Sequence, residues 1–327
     1  MKNLPRETHL SPVTAIICTR DRPQNILRCL DAVIACPELI EIIVVDQSAS
    51  DETERLVSGV HDIRVRYRRD TGLGVSRARN IAAIMAHGDL LAFTDDDCAV
   101  SIDWARSAIA AFGDDLTVGI ATGAVLAAAH NASEEFIPSY APRRRRQQTN
   151  LRNARALGAN MVVRRAAFDA AGGFDESLGA GGRFHAGEDT DLLVRVIRAG
   201  FEAVTEPSMA VCHWGARNYA DGSASRLLRR YNHGEGLVLA KRSRTGDKLA
   251  LPVLATAIAS RAVSAVLASI RKGRITDVNR TVYLIRGFVA GLRPPIDPVT
   301  HTFLATDGHA VEASGADEVP IARESEA

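Results

Sequence analysis

Leu90-Leu91-Ala92-Phe93-Thr94-Asp95-Asp96-Asp97 carries an apolar run straight into three consecutive carboxylates. The run reads as a buried β-strand, so its end sets dense negative charge at a sheet edge. Neighbouring carboxylates repel, and they stay ionised together most easily when a cation or a strong donor set shares the charge. Side chains alternate along a strand, which predicts Asp95 and Asp97 on one face and Asp96 on the other. Asp95 and Asp97 are thus a candidate pair around one hard divalent ion, against the competing reading of a solvated acidic turn.

The segments before this strand repeat one theme. Val13 to Cys18 is a β-rich apolar run, followed by a helical pattern from Arg22 to Ala35 with Pro23 suited to its first turn. Glu41 to Val45 predicts a second buried strand ending in Asp46, and Ser50 can cap a short helix. Ile63 to Tyr67 alternates as a strand, and Ser76 to Ala86 reads as a helix stopped near Gly88. This order predicts a doubly wound, mainly parallel α/β sheet with ligands at the carboxyl ends of its strands. Trp104 to Phe112 and Val118 to Ala127 extend it as helix and strand, and His130 to Asn153, with Arg143 to Arg146, reads as a mobile loop. A helix is expected from Glu188 to Ala199, with Leu192, Leu193, Val196 and Ile197 as its buried stripe.

The division expected is a tail at 1–12, a sheet domain at 13–220 with halves at about 13–100 and about 101–220, a helical region at 221–293 and a disordered tail at 294–327. Lys plus Arg number 40 against 39 Asp plus Glu, which argues against nucleic acid as a partner. Five cysteines without paired C-x-x-C spacing, and a polar start without an apolar leader, suit a reducing cytoplasm. Val253 to Ile270 is interrupted by Arg261 and is expected to fall short of a spanning helix.

Several turns carry candidate chemistry. Thr19 and Arg20 follow the first strand, where polar side chains and free helix amides can hold a nucleotide. Asp46, followed by Gln47 and Ser48, can accept from a ribose or base, or can cap a helix. Gly72 to Asn80 joins a flexible turn to Arg77, Arg79 and Asn80, a candidate anion site. Glu188 and Asp189 open a helix, where they cap it or supply a general base. His213 ends the apolar run from Met209, as a satisfied edge residue or a metal ligand.

In their order, Val13 to Arg20, Val44-Val45-Asp46, Ser76 to Asn80, Phe93 to Asp97, Gly172 to Glu176 and Gly187-Glu188-Asp189 closely resemble a family 2 glycosyltransferase, over roughly residues 12–216. The resemblance implies a GT-A fold that binds a nucleoside diphosphate sugar and inverts the anomeric centre. It implies a nucleotide pocket of Thr19, Arg20, Asp46, Ser48, Arg77 and Asn80, with Asp95 and Asp96 beside it. It also implies a Mn²⁺ or Mg²⁺ site at Asp97, with Asp95 and His213, and Asp189 as base next to Glu188. Gly173, Phe174, Asp175 and Glu176 would shape the acceptor side. The family triplet often has a neutral centre, so the acidic Asp96 has no assigned role.

A sugar nucleotidyltransferase would prefer a glycine-rich, lysine-bearing loop after the first strand, which Thr19 to Pro23 lacks. A non-catalytic nucleotide-sugar binder would lack the base, and Glu188 and Asp189 are present. Beyond Asp221, basic residues such as Arg229, Arg230, Lys241, Arg242, Arg271, Lys272 and Arg274 alternate with apolar ones. Such helices dock on the sheet domain, form a homodimer, or lie on the inner face of a membrane beside a saccharide or lipid-linked acceptor.

Overall fold

The structure, a computed structural model, describes residues 12–142, 147–272 and 278–304. The tail before residue 12, Arg143 to Arg146, Arg274 and residues 305–327 lie outside the described residues, as do the side chains of Arg271 and Lys272.

The chain begins β1 (Val13–Thr19), α1 (Pro23–Ile34), β2 (Leu39–Asp46), α2 (Glu52–Ser58), β3 (Val65–Arg69), α3 (Val75–Met85) and β4 (Leu90–Asp95). Pro23 sits in the first turn of α1, where its missing N–H leaves no helical bond unmade. It continues through β5 (Cys98–Val100), α4 (Trp104–Phe112), β6 (Val118–Ala127), β7 (Glu135–Phe136), β8 (Gln147–Thr149), β9 (Asn160–Arg164) and α5 (Arg165–Ala170). Then come α6 (Glu188–Arg198), β10 (Glu202–His213), β11 (Arg217–Asn218), α7 (Ser223–Arg244), α8 (Ala250–Lys272) and α9 (Val278–Gly291).

The main sheet has the order β3-β2-β1-β4-β9-β6-β10-β5, with β8 also on β10. Its first four strands are parallel, as the alternating sequence predicts, and β9 then runs antiparallel between β4 and β6. Strand order reverses at β1, so the crevice outside the carboxyl ends of β1 and β4 is the place for a ligand. Thr19 and Asp95 both end there.

Alternation splits each strand between two cores. Val13, Ala15 and Ile17 pack with Leu30, Val33, Trp104 and Phe112 on the α1 and α4 side. Ile16 joins Ile43, Val45 and the buried side chains of α3, α5 and α6 on the other. There Phe93 meets Phe174 edge-on, with ring centroids 5.2 Å apart, and stacks near Phe168 at 6.1 Å. A buried aromatic of this kind contributes about 3 kcal/mol, so this cluster fixes the strand that delivers the aspartates.

The structure departs from several expectations. The 130–153 stretch is not a featureless loop: β7 pairs with β11, β8 pairs with β10, and Tyr140 bridges to Val125. Short strands with few apolar residues gave no alternation to read. Residues 294–304 do not belong to a disordered tail, because Phe303 is buried and its N–H donates to Asp175 Oδ2 at 2.7 Å. Lys241 and Arg242 are buried too, so they are not part of a solvated basic face. Lys241 Nζ lies 2.6 Å from Asp175 and 2.7 Å from Asp191, and Arg242 pairs with Asp247 at 2.7 Å.

The length expected of the last apolar stretch is also corrected. Ala250–Ile270 is a helical span of 21 residues, long and apolar enough to cross a membrane; an 18-residue stretch of it has mean hydropathy 1.8 and is only 6% buried. Its one charge, Arg261, is turned inward against Glu235 and Asn232.

Candidate active site

β4 ends at Asp95, and Asp96 and Asp97 form a turn. The turn breaks the two-residue alternation, which corrects the expected pairing of Asp95 with Asp97. Asp96 and Asp97 instead share the guanidinium of Arg22, whose Nη1 lies 3.1 and 3.2 Å from their oxygens. Thr19 Oγ1 donates to Asp96 Oδ2 at 2.7 Å, and Asp95 turns to Arg79 at 2.9 Å. Burial raises the Asp96 pKa to about 6 against the opposing pull of Arg22.

β5 pairs antiparallel with the end of β10, setting His213 opposite Cys98 and beside the turn. His213 Nε2 is 3.1 Å from Asp97 Oδ1, and Nδ1 is 3.0 Å from the Pro138 carbonyl oxygen. A ring nitrogen against a carbonyl carries a proton, so Nε2 is the one available to an ion. Burial opposes the charge of His213, but the hydrogen bond and charge of Asp97 outweigh it and raise the pKa. Burial likewise works against the Asp97 carboxylate, and the bond to His213 with nearby positive charge brings its pKa below the ordinary value.

Asp97, Cys98 and His213 offer ligand atoms within 4.8 Å of one another. Burial and then the charges of the neighbouring aspartates drive the Cys98 thiol far up, and of the three donors the carboxylate and the imidazole are those that suit a hard divalent ion. A Cβ at residue 215 would lie 2.2 Å from Asp97 Oδ2 and 2.8 Å from His213 Nε2, so Gly215 keeps that flank open. Donors and space fit a divalent ion such as Mn²⁺ or Mg²⁺.

The other pole of the cleft is the start of α6. Gly187 precedes it at φ 96°, a conformation that favours glycine, and aims Glu188 and Asp189 across the cleft. Asp189 accepts from the Gly158 N–H at 3.0 Å and from the Thr190 N–H at 2.6 Å. Desolvation first, then the charge of Glu188, raises its pKa to about 7 against those bonds and Arg79. A carboxylate with a pKa near neutrality suits a general base.

Arg79 joins the two poles. Its buried guanidinium meets Asp95 at 2.9 Å and Glu188 at 3.2 Å, and a Cβ at residue 158 would approach it to 2.6 Å. A cleft of about 1130 Å³ holds Thr19, Arg20, Asp95, Asp96, Asp97, His213, Glu188 and Asp189 in its walls.

Other expected site residues stand elsewhere. Arg77 is outside the cleft wall and pairs with Asp70 at 3.2 Å; Arg79, two residues on, faces inward. The signal was available, since Arg79 precedes Ala82 and Ala83 at helical spacing and shares their buried side. Asp46 is fully buried, accepting from Tyr67 and the Ser48 N–H at 2.8 Å each, while Ser48 accepts from the Asp21 N–H; Gln47 is the member of that turn in the wall. Asn80 bonds to Phe174 and Glu176. Gly173 to Glu176 do not line the cleft, which corrects their acceptor-side placement: Phe174 is core and Asp175 is buried against Lys241. Sequence reasoning gave Arg22 no role apart from its turn and passed over Gly158 and Tyr231, which come from distant segments.

Residues 14–172 match the family model described as Glycosyl transferase family 2. Pre-mycofactocin glycosyltransferase of Mycobacterium tuberculosis is 28% identical over 67% of this chain and 48% of its own length. The chain thus spans about half the length of that relative. Succinoglycan biosynthesis protein ExoO of Rhizobium meliloti is 27% identical over 73% of this chain and 69% of its own. Among solved structures, mannosyltransferase PcManGT of Pyrobaculum calidifontis with GDP-Man and Mn²⁺ covers 88% of each chain at TM-score 0.58 and 19% identity. Residues 1–349 of S. aureus TarS with UDP-GlcNAc cover 70% of this chain and 65% of that one at TM-score 0.55 and 15% identity. These neighbours share the GT-A fold. Family model, motif order and fold agree on residues 14–172, which carry a glycosyl transferase family 2 domain.

Proposed function

We propose that this chain transfers a glycosyl group from a nucleoside diphosphate sugar to an acceptor hydroxyl, with inversion at the anomeric carbon. The observation that carries the reading is one cleft with a cation-binding pole at Asp97 and His213 and a carboxylate of pKa about 7 at Asp189. Asp97 and His213 would hold Mn²⁺ or Mg²⁺, which supplies charge stabilisation to the departing diphosphate. Thr19, Arg20 and Gln47 flank the nucleotide, and Arg79 holds Asp95 and Glu188 in position between the poles. Asp189 takes the acceptor proton as the acceptor oxygen bonds to the anomeric carbon and the bond from that carbon to the diphosphate oxygen breaks. One base and a single displacement support inversion, by the stereochemical logic of one-step glycoside hydrolysis.

The relatives' names support a role in polysaccharide or glycoconjugate synthesis. The exposed apolar face of α8 supports peripheral contact with the inner face of a membrane. A thermal-shift panel of UDP-, GDP- and dTDP-sugars with Mn²⁺ tests the donor reading, since a ligand of the native state raises its stability. One sugar nucleotide should stabilise the protein, and Asp97→Ala should abolish the Mn²⁺-dependent part; no shift with any of them rejects the reading.

A further inference from the structure

Away from the donor end, the cleft runs out between α7 and α8, and its two walls differ in chemistry. The first turns of α7 contribute Arg226 and Arg230, four residues apart and so on one face, with Tyr231 beside Arg230. Tyr231 lines the same cleft as Asp189 and Glu188, so this wall faces the base. Arg226 gives one N–H to the Asp221 carbonyl at 3.1 Å, and among the described residues neither arginine forms a salt bridge. Two guanidinium groups on one helix face, neither held in a salt bridge, make a strong field for an anion.

The α8 wall is the reverse. Pro252, Val253 and Ala257 line the cleft, and Arg261 is bonded to Glu235 at 2.5 Å and Asn232 at 3.1 Å. On the outer side Leu251, Val263, Val266, Leu267 and Ile270 are 57–74% exposed. From residue 250 to 293 the chain has seven Lys or Arg against a single acidic residue, Asp277. An apolar outer face on a stretch of chain with net positive charge complements an anionic lipid surface, and the same helix walls the cleft.

We infer that this end of the cleft binds the acceptor as a lipid phosphate: a phosphate that meets Arg226 and Arg230, joined to a hydrocarbon chain lying along α8. The hydroxyl that accepts the sugar is on the part that reaches Asp189. That last point rests on the transfer reading above; the phosphate and chain contacts rest on α7 and α8 alone.

The test titrates the full chain, without donor or metal, with farnesyl phosphate, farnesol and inorganic phosphate. Farnesyl phosphate should bind about tenfold or more tightly than either fragment, and Arg226→Gln with Arg230→Gln should weaken it about tenfold. Both residues are exposed, so thermal unfolding should be unchanged, and Arg230→Gln alone should show a smaller loss in the same direction. Equal binding of farnesol, or full affinity in the double variant, overturns the inference. Displacement of the probe by phosphatidylglycerol vesicles as readily as by free farnesyl phosphate also overturns it, since the arginines would then read bilayer headgroups. A failed donor reading shows separately, as absent sugar-nucleotide binding with farnesyl phosphate binding intact.

Discussion

Replacing Asp189 by Asn removes a carboxyl that the fold makes hard to ionise, and stability should register this before any turnover is measured. The native pKa is raised from the ordinary 3.8 to about 7, by desolvation first and by Glu188 second. A carboxyl whose pKa rises on folding contributes full stability below pH about 4 and loses it as pH climbs through about 7. Three pH units at about 1.36 kcal/mol each set an upper limit of about 4 kcal/mol on that loss. The amide keeps one acceptor oxygen for the two backbone N–H groups at Gly158 and Thr190, so Asp189→Asn also incurs a pH-independent penalty of about 1 kcal/mol. Urea unfolding of both proteins from pH 4 to pH 8 reads the difference. The variant should be the less stable at pH 4 and gain on the wild type by a few kcal/mol by pH 8. A gap that stays constant across that range would refute the claim that Asp189 is held near neutrality. In the same variant sugar-nucleotide binding should persist while transfer is lost, and near-normal turnover would remove Asp189 from the role of base.

Gly215→Ala fills the flank beside Asp97 and His213, so Mn²⁺ affinity by calorimetry should fall at least about tenfold; unchanged affinity would move the ion elsewhere. Lys241→Met leaves Asp175 and Asp191 buried with less counter-charge and should destabilise by about 3–5 kcal/mol in urea unfolding, a loss under about 1 kcal/mol counting against the network. Arg77→Ala should leave sugar-nucleotide affinity within about twofold, because its guanidinium pairs with Asp70 outside the cleft. Arg79→Met should weaken that affinity strongly and move the acid limb of the pH–rate profile upward, since Arg79 lowers the Asp189 pKa; equal effects from the two would erase the distinction.

The parallel half of the sheet was legible because its strands are continuous apolar runs separated by helix signals, and β1 to β4 fall close to where those runs lie. The two poles were legible as well, as carboxylates or a histidine at the ends of apolar segments. What escaped was whatever depends on distance in space. Asp96 and Asp97 share Arg22 because a turn follows Asp95, and no strand period reports a turn inside an acidic triplet. Asp175 looked like a pocket residue until its partners, Lys241 and the Phe303 N–H, arrived from 66 and 128 residues away. Arg261 looked like a flaw in an apolar helix, and only the fold shows that it points at Glu235.

The carboxylate of Asp175 bears on how this chain can be cut. A boundary near residue 220 invites expression of the sheet domain by itself, yet that fragment would carry Asp175 and Asp191 in its interior without Lys241. It would also expose Leu178 and Phe184, which Leu237 and Phe303 cover in the full chain. Graftable modules should end where few contacts cross, and here the seam runs through a buried ion network. Chimeras that exchange acceptor preference between relatives should therefore take α7 and residues 294–304 together with the sheet, and vary only the outer surface of α8.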